Sequence, residues 1–245
     1  MVIQERVILV RGTPTSGKTV LARLLHKYNL ENDINSVYII GWPQKAHHTT
    51  YLVEQAAKYG YKYLDADSIR DFNGMFIIDE AQITYSDRLF WLDMIKAQGD
   101  RQNGATFCLF ATYGSASQGP EEYENVAGSP LASLSVRQRV SIVPSMLRGS
   151  PRISLFYTRD EFYDVLERRK TDPSHPVTVT DDAADYICSL TQGQPGAVTG
   201  VLGMLYWVRT NADFCPKSMD AYRVDCRDFK AISSMRVRMR LERTI

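Results

Sequence analysis

A glycine-rich segment near the start of the chain has the residue types and the spacing of a phosphate-binding loop. Residues 12–19 read GTPTSGKT and match the pattern G-x-x-x-x-G-K-[ST] at every fixed position. Glycines let the backbone curl so that successive N–H groups point inward, and a following helix adds the positive end of its dipole. The alternative is an ordinary glycine-rich turn between a strand and a helix. We expect phosphate binding by Gly12, Thr13, Pro14, Thr15, Ser16, Gly17, Lys18 and Thr19.

Two of these residues have distinct expected roles. The Lys18 ammonium would contact the β- and γ-phosphates, and the Thr19 hydroxyl would be a ligand of Mg²⁺. The sequence contains no N-K-x-D motif of the kind that reads guanine. ATP and Mg²⁺ are therefore the expected cofactors.

Two adjacent acids follow the apolar run MFII at residues 75–78. Asp79 would lie at the carboxyl end of a strand, where ligands bind in open α/β sheets, and would complete the Mg²⁺ shell, usually through water. Glu80 would polarise an attacking water and accept its proton as a general base. The alternatives are a helix-capping aspartate and an exposed glutamate in the first turn of a helix. The doublet favours a nucleotide hydrolase.

A polar residue, Thr112, and several arginines are weaker candidates for a role in hydrolysis. Thr112 ends an apolar run, FCLFAT, and would face the γ-phosphate or the attacking water if that strand lies between the loop strand and the Asp79 strand. Its alternative role is to cap the turn that follows. An arginine could stabilise the negative charge that develops during hydrolysis. The sequence does not rank the candidates Arg137, Arg139, Arg148 and Arg159.

Apolar runs alternate with helical patterns, which is typical of a parallel sheet covered on both faces. After the phosphate loop, helical spacing relates Val20, Leu21, Leu24, Leu25 and Tyr28. Helices are also predicted over 49–59 and 86–98, and strands over 7–10, 37–40, 75–79, 107–112 and 152–158. The predicted fold class is α/β: a P-loop NTPase of the additional-strand type with a five-stranded parallel sheet.

Three segments are expected along the chain. Residues 1–170 would form the core, with a long Gly-, Ser- and Pro-rich insertion at about 113–151. Residues 171–210 would form a small C-terminal helical lid, and 211–245 the start of a winged-helix-like or linker segment. In this last segment RVRMRLER alternates arginines with apolar residues, which is compatible with a solvated edge strand or with DNA contact.

The segment TQGQPGAV, residues 191–198, joins two predicted lid helices. Thr180 can cap the first of them. Gly193 can end that helix in a left-handed conformation, and Pro195 suits the first turn of the next. This explains the segment as a plain elbow. The alternative is that Pro195 contacts the adenine of a bound nucleotide.

Composition sets wide bounds on function. The chain has 245 residues, 44% of them hydrophobic and 23% charged, as is ordinary for a globular protein. Its net charge of +1 is too small to attract nucleic acid or a membrane surface by overall electrostatics. The four cysteines form no CxxC pair, and Cys108 and Cys188 lie in apolar runs as expected of buried free thiols. No signal peptide and no membrane-spanning run is apparent. We expect an intracellular protein, cytoplasmic or nuclear, without membrane contact.

Several segments together resemble the P-loop ATPase module of the Crinkler-type proteins of fungi and oomycetes. They are the phosphate loop, IIDEAQITYSDRLFW, LFATYGS, SLFYTRDEFYDVLERR and SLTQGQPGAVTGVL. That module is similar to signal-transducing ATPases with numerous domains, which are relatives of the AAA+ class. The resemblance spans roughly residues 5–210 and implies roles in the ATP site for Lys18, Thr19, Asp79 and Glu80, and also for Thr112 and Pro195.

The resemblance also implies a secreted effector that acts in host nuclei, with ATP state controlling a linked nuclease-like domain. We expect a departure from that pattern, since neither an N-terminal secretion header nor a C-terminal nuclease is apparent in these 245 residues, as in a fragment, a truncated paralogue or a standalone ATPase. The leading hypothesis is a Mg²⁺-dependent ATPase whose nucleotide state controls lid position or assembly into a homo-oligomer. The alternatives are a phosphotransferase and a catalytically weak nucleotide-binding module that oligomerises or contacts DNA.

Overall fold

The computed structural model describes residues 5–43, 47–99, 101, 103–112, 134–142, 154–210 and 223–224. The chain divides into two compact units, Met1–Ser154 and Leu155–Ile245, each of which is described by itself. Among the described helices, none is long and apolar enough to cross a membrane.

The first unit is built on a five-stranded sheet in which every strand pair is parallel. Its strands are β1 (Val7–Gly12), β2 (Ser36–Ile40), β3 (Met75–Asp79), β4 (Thr106–Thr112) and β5 (Arg139–Ser141). The order across the sheet is β2-β3-β4-β1-β5. All five residues of β3 and the first six of β4 are buried, as continuous apolar runs require when helices cover both faces.

This strand order confirms the predicted fold class. The strand β4 lies between β1, which leads into the phosphate loop, and β3, which ends at Asp79. One additional strand between these two defines the additional-strand P-loop NTPases, the class that includes the AAA+ ATPases. The carboxyl ends of β1, β3 and β4 consequently lie side by side, with Gly12 opposite Thr112 in the register.

Helical segments connect the strands of the first unit. They are α1 (Lys18–Glu31), α2 (His48–Lys58), the 3-10 helices Ser68–Asp71, Ala81–Ser86 and Val136–Gln138, the π-helix Phe90–Lys96 and the short turn α3 (Ala97–Gly99). The predicted helices over 49–59 and 86–98 correspond to α2 and to the π-helical segment. The spacing that predicted α1 is correct, but Val20, Leu24 and Tyr28 are each more than half exposed, and the helix buries Ala22 and Asn29 instead.

The predicted fifth strand is wrong in its described part. Residues 154–158 form no strand, since the N–H of Tyr157 donates to the carbonyl of Gly193 and Thr158 caps the next helix. The fifth strand of the sheet is β5, which pairs with β1 through Leu9–Arg139 and Val10–Val140. Apolar content favoured the segment 152–158, but only tertiary pairing decides which short segment occupies the free edge of β1.

The described residues of the second unit form three helices and a short two-stranded sheet. They are α4 (Arg159–Lys170), α5 (Asp181–Thr191), α6 (Pro195–Thr210), β6 (Thr178–Val179) and β7 (Arg223–Val224). Their apolar faces share one core that includes Phe162, Ile187, Val198, Leu202 and Leu205. Thr180 caps α5 as predicted, its side chain accepting from the N–H of Ala183.

The elbow between α5 and α6 has the expected local geometry. Gln192 and Gly193 are both left-handed, with φ of 51° and 73°. Pro195 is the first residue of α6, and the Gln194 side chain accepts from the N–H of Ala197. A Cβ at Gly193 would lie 2.3 Å from the Tyr157 carbonyl oxygen, so this position requires glycine for space as well as for φ.

Both described cysteines are free thiols, as predicted, but the expected burial is found only for Cys108. Cys108 is buried in β4 and Cys188 is half-buried in α5. Burial raises the pKa of Cys108 to about 12, which makes its thiol unreactive at neutral pH. Cys215 and Cys226 lie outside the described residues.

Candidate phosphate-binding site

The phosphate loop joins the end of β1 at Gly12 to the start of α1 at Lys18. Within it Thr15 and Gly17 are left-handed, with φ of 59° and 95°. The N–H of Ser16 donates to the carbonyl of Thr13 at 3.3 Å, which closes the turn. The backbone therefore passes through left-handed conformations in a tight turn, as the glycine-rich motif predicts.

Gly12 is packed closely against the side chains of Ile142 and Ser16. A Cβ at this position would lie 2.7 Å from Cγ1 of Ile142 and 2.8 Å from Oγ of Ser16. The Ser16 hydroxyl is itself buried, and among the described residues it has no hydrogen-bond partner. The loop is thus packed against the residue that follows β5, with a buried donor inside it.

The Lys18 side chain folds back into the loop. It is only 5% exposed, and its Nζ donates to the carbonyl oxygens of Thr13 at 2.8 Å and Gly12 at 3.2 Å. Burial lowers the pKa of Lys18, while the carboxylates of Glu80 and Asp79 act in the opposite direction. The ammonium therefore lies in a partly desolvated position near both predicted acids.

One cavity brings together seven of the predicted site residues. Its volume is about 500 Å³, within the range of small-ligand sites. It is lined by Pro14, Thr15, Gly17, Lys18, Thr19, Val20, Glu80 and Thr112. Residues from the loop, from the end of β3 and from the end of β4 thus face one space. Val20, a rim residue that is largely exposed, was not a predicted site residue.

Asp79 is 2% exposed and is not among the residues that line this cavity. Its Oδ2 accepts from the Tyr38 hydroxyl at 3.1 Å, and its Oδ1 accepts from the N–H of Glu80 at 3.0 Å. Burial is the main cause that raises the pKa of Tyr38. Tyr38 is a polar contact of the site that sequence reasoning missed, since nothing in the run VYII distinguishes its hydroxyl from that of any other strand tyrosine.

Glu80 has an unusual backbone conformation. Its φ of 53° is left-handed, and with Thr15 it is one of two such non-glycine residues at the cavity. Its Oε2 accepts from Nε2 of Gln82, and Oε1 of Gln82 in turn accepts from the N–H of Thr112 at 3.1 Å. Sequence reasoning missed Gln82, whose signal was its place two residues after the acid.

The arginine candidates differ in their surroundings. Arg139 lies in β5 and its Nη2 donates to the carbonyl of Leu134 at 2.8 Å, whereas Arg137 is exposed. Arg159 lies in the second unit, where its Nη2 contacts Oδ1 of Asp185 at 2.5 Å. Arg148 lies outside the described residues. The described residues that line the cavity include no arginine.

The chain has distant structural similarity to several solved structures. No protein-family model matches the chain, and no curated protein matches it. The structure of Orc1 from Aeropyrum pernix in complex with DNA is 14% identical with a TM-score of 0.48, covering 94% of this chain and 59% of that one. Domain III of the replication initiation protein DnaA from Thermotoga maritima is 10% identical with a TM-score of 0.47, covering 89% and 81%.

A katanin structure is also similar, at 12% identity and a TM-score of 0.49, covering 93% of this chain and 66% of that one. The chain spans about three fifths of the length of the Orc1 chain and of the RuvB chain from Thermotoga maritima, at 59% and 61%. The fold assignment rests on the strand order and the loop geometry of this chain itself.

Proposed function

We propose that this protein is a Mg²⁺-dependent ATPase. The observation that carries the proposal is that Lys18, Thr19, Glu80 and Thr112 line one and the same cavity. These residues come from the start of α1, from the position after β3 and from the end of β4. Their types are those that phosphoryl transfer to water needs: a cation, a hydroxyl and a carboxylate. The absence of a guanine-reading motif favours ATP over GTP.

Phosphate binding is assigned to the loop and to Lys18. The Lys18 ammonium donates to two neutral carbonyl oxygens. Hydrogen bonds from a cation to an anionic oxygen are shorter and stronger than those to a neutral one, so phosphate oxygens would displace these carbonyls. The N-terminus of α1 favours the same charge. The buried hydroxyl of Ser16 supplies a further donor within the loop.

Metal binding is assigned to Thr19 and Asp79. Both offer oxygen atoms, the donors that Mg²⁺ prefers. Asp79 is buried at the end of β3, and two hydrogen bonds orient its carboxylate. Bound Mg²⁺ would neutralise charge on the β- and γ-phosphates during transfer. The protein's own part is to hold these two oxygen donors on adjacent elements.

Hydrolysis is assigned to Glu80 as general base. Glu80 lines the cavity together with Lys18 and Thr112. A water between its carboxylate and a γ-phosphate would be activated by this base. Thr112 would contact that water or the γ-phosphate from the end of β4.

The proposal extends to the second unit through the Crinkler-type resemblance. On that basis Pro195 contacts the adenine, and nucleotide state controls lid position or homo-oligomer assembly. Action in a host nucleus belongs to the same extension, whereas contact with nucleic acid belongs to the alternative of a catalytically weak nucleotide-binding module. The geometry of the elbow, with Pro195 opening α6, is compatible with this role.

Replacement of Glu80 tests the proposed hydrolysis. Glu80→Gln keeps the size of the side chain and removes the base, so we expect phosphate release to fall by about 100-fold or more. ATP affinity, measured by calorimetry with Mg²⁺, should stay within a few-fold of that of the original protein. The control is Glu54→Gln, an exposed glutamate on α2. Equal phosphate release by both variants would contradict the proposal.

A further inference from the structure

The side chain of Gln82 bridges two of the strand ends that form the cavity. Its Nε2 donates to Oε2 of Glu80, and its Oε1 accepts from the N–H of Thr112 at 3.1 Å. A carboxylate only accepts and a backbone N–H only donates, so the two partners dictate which way the amide points. No other uncharged side chain of this length supplies one donor and one acceptor in this arrangement.

The backbone that carries Gln82 is well anchored. Gln82 lies in the first turn of the 3-10 helix Ala81–Ser86, and Ala81 is fully buried. The Thr84 hydroxyl donates to the carbonyl of Ala81 at 2.7 Å, and the buried indole of Trp91 donates to the carbonyl of Thr84 at 3.0 Å. These contacts hold in place the backbone from which the Gln82 side chain extends.

The bridge settles which carboxylate oxygen of Glu80 is engaged. Oε2 is held by Gln82, and Glu80 lines the cavity. Without this hydrogen bond, other staggered rotamers of the Glu80 side chain and rotation of its terminal carboxylate would compete with this orientation. Through Oε1 of Gln82, the orientation of Glu80 is also tied to the last residue of β4.

We propose that Gln82 is a positioning residue for hydrolysis: it orients the Glu80 carboxylate towards the attacking water and couples that orientation to the end of β4. The inference rests on the proposed ATPase function. It assigns Gln82 no contact with ATP. Loss of the bridge should therefore lower kcat and leave ATP binding unchanged.

Two replacements separate positioning from a purely structural role. Gln82→Met keeps the length and loses both hydrogen bonds, whereas Gln82→Glu keeps the acceptor for the N–H of Thr112 and places a second carboxylate beside Glu80. We expect both to lower kcat for ATP by about 10- to 100-fold, because a small misplacement of a catalytic group has effects of this size. The Kd for ATP with Mg²⁺ and the binding stoichiometry should stay unchanged. Gln55→Met on α2 is the control.

The same replacement in a Glu80→Gln background completes the test. If Gln82 acts through Glu80, Gln82→Met should cause no further loss once the base is absent. An equal loss in both backgrounds, full activity of Gln82→Glu, or unchanged kcat in Gln82→Met would each overturn the inference. These outcomes differ from failure of the proposed function, in which the unaltered protein itself releases no phosphate from ATP.

Discussion

The Nζ atom of Lys18 lies 2.8 Å from the carbonyl oxygen of Thr13, inside the loop that the same lysine helps to define. A second carbonyl, that of Gly12, lies 3.2 Å from it. The cation therefore has neutral partners within the loop, close to two acids at the end of β3. Binding of a phosphate would replace these neutral acceptors with charged ones, which explains why a buried lysine is compatible with this site.

Removal of the Lys18 charge should abolish most of the affinity for ATP. Lys18→Met keeps the aliphatic stem, and a charge-assisted hydrogen bond contributes about 1.5–3 kcal/mol, so Kd should rise by about 10- to 100-fold. Calorimetric titration with ATP and Mg²⁺ measures this. Lys58→Met, an exposed lysine on α2, should bind as the original protein does. Unchanged affinity in Lys18→Met would contradict phosphate binding by this loop.

Gly12 should tolerate no side chain. The Cβ of Gly12→Ala would press on Ile142 and Ser16, and overpacking of this kind destabilises by about 1–3 kcal/mol. The matched control is Gly203→Ala in α6, where the added Cβ would meet nothing within 4 Å apart from the adjoining residues and backbone of its own helix. Helix propensity predicts a gain of about 1 kcal/mol there. Urea unfolding followed by circular dichroism measures both free energies of unfolding. Equal stability of the two variants would show that the loop is packed differently.

His48 should make the first unit less stable as the pH falls. Its ring is 1% exposed, and among the described residues its Nε2 has no hydrogen-bond partner. Burial, followed by the adjacent His47, lowers the pKa of His48, and Asp87 and Asp93 act in the opposite direction. A pKa below the unfolded value, about 6.5, means that the unfolded chain binds the proton more readily.

The stability from a neutral His48 is thus complete above pH 6.5 and decreases as the pH falls from there towards the pKa of the folded state. The loss is at most about 1.4 kcal/mol of unfolding free energy per pH unit. Burial lowers the pKa of His26 as well, so that residue contributes with the same sign. Unfolding free energies measured between pH 7 and 5 should depend less on pH in His48→Gln. An identical pH dependence in that variant would remove His48 as the cause.

Local chemistry made much of this protein predictable. The eight residues of the phosphate loop carry the features of their proposed function within one short segment, because the turn, the cation and the hydroxyl all lie in one strand-to-helix connection. The buried strands β3 and β4 are continuous apolar runs. Thr180 caps α5 and Pro195 begins α6, and both roles depend only on residues within one turn of the helix. For the same reason the acids Asp79 and Glu80 could be placed at a strand end before the strand order was known.

Contacts between distant segments were decided only by the tertiary structure. The choice of Arg139–Ser141 rather than 152–158 as the fifth strand depends on which segment reaches the free edge of β1. The hydrogen bond from Tyr38 to Asp79 and the bridge from Gln82 to Thr112 join residues 41 and 30 positions apart. A sequence pattern records local spacing and polarity. The direction of a side chain across a sheet depends instead on how the strands pack. The orientation of the proposed catalytic base, Glu80, is therefore set by contacts that the sequence pattern does not contain.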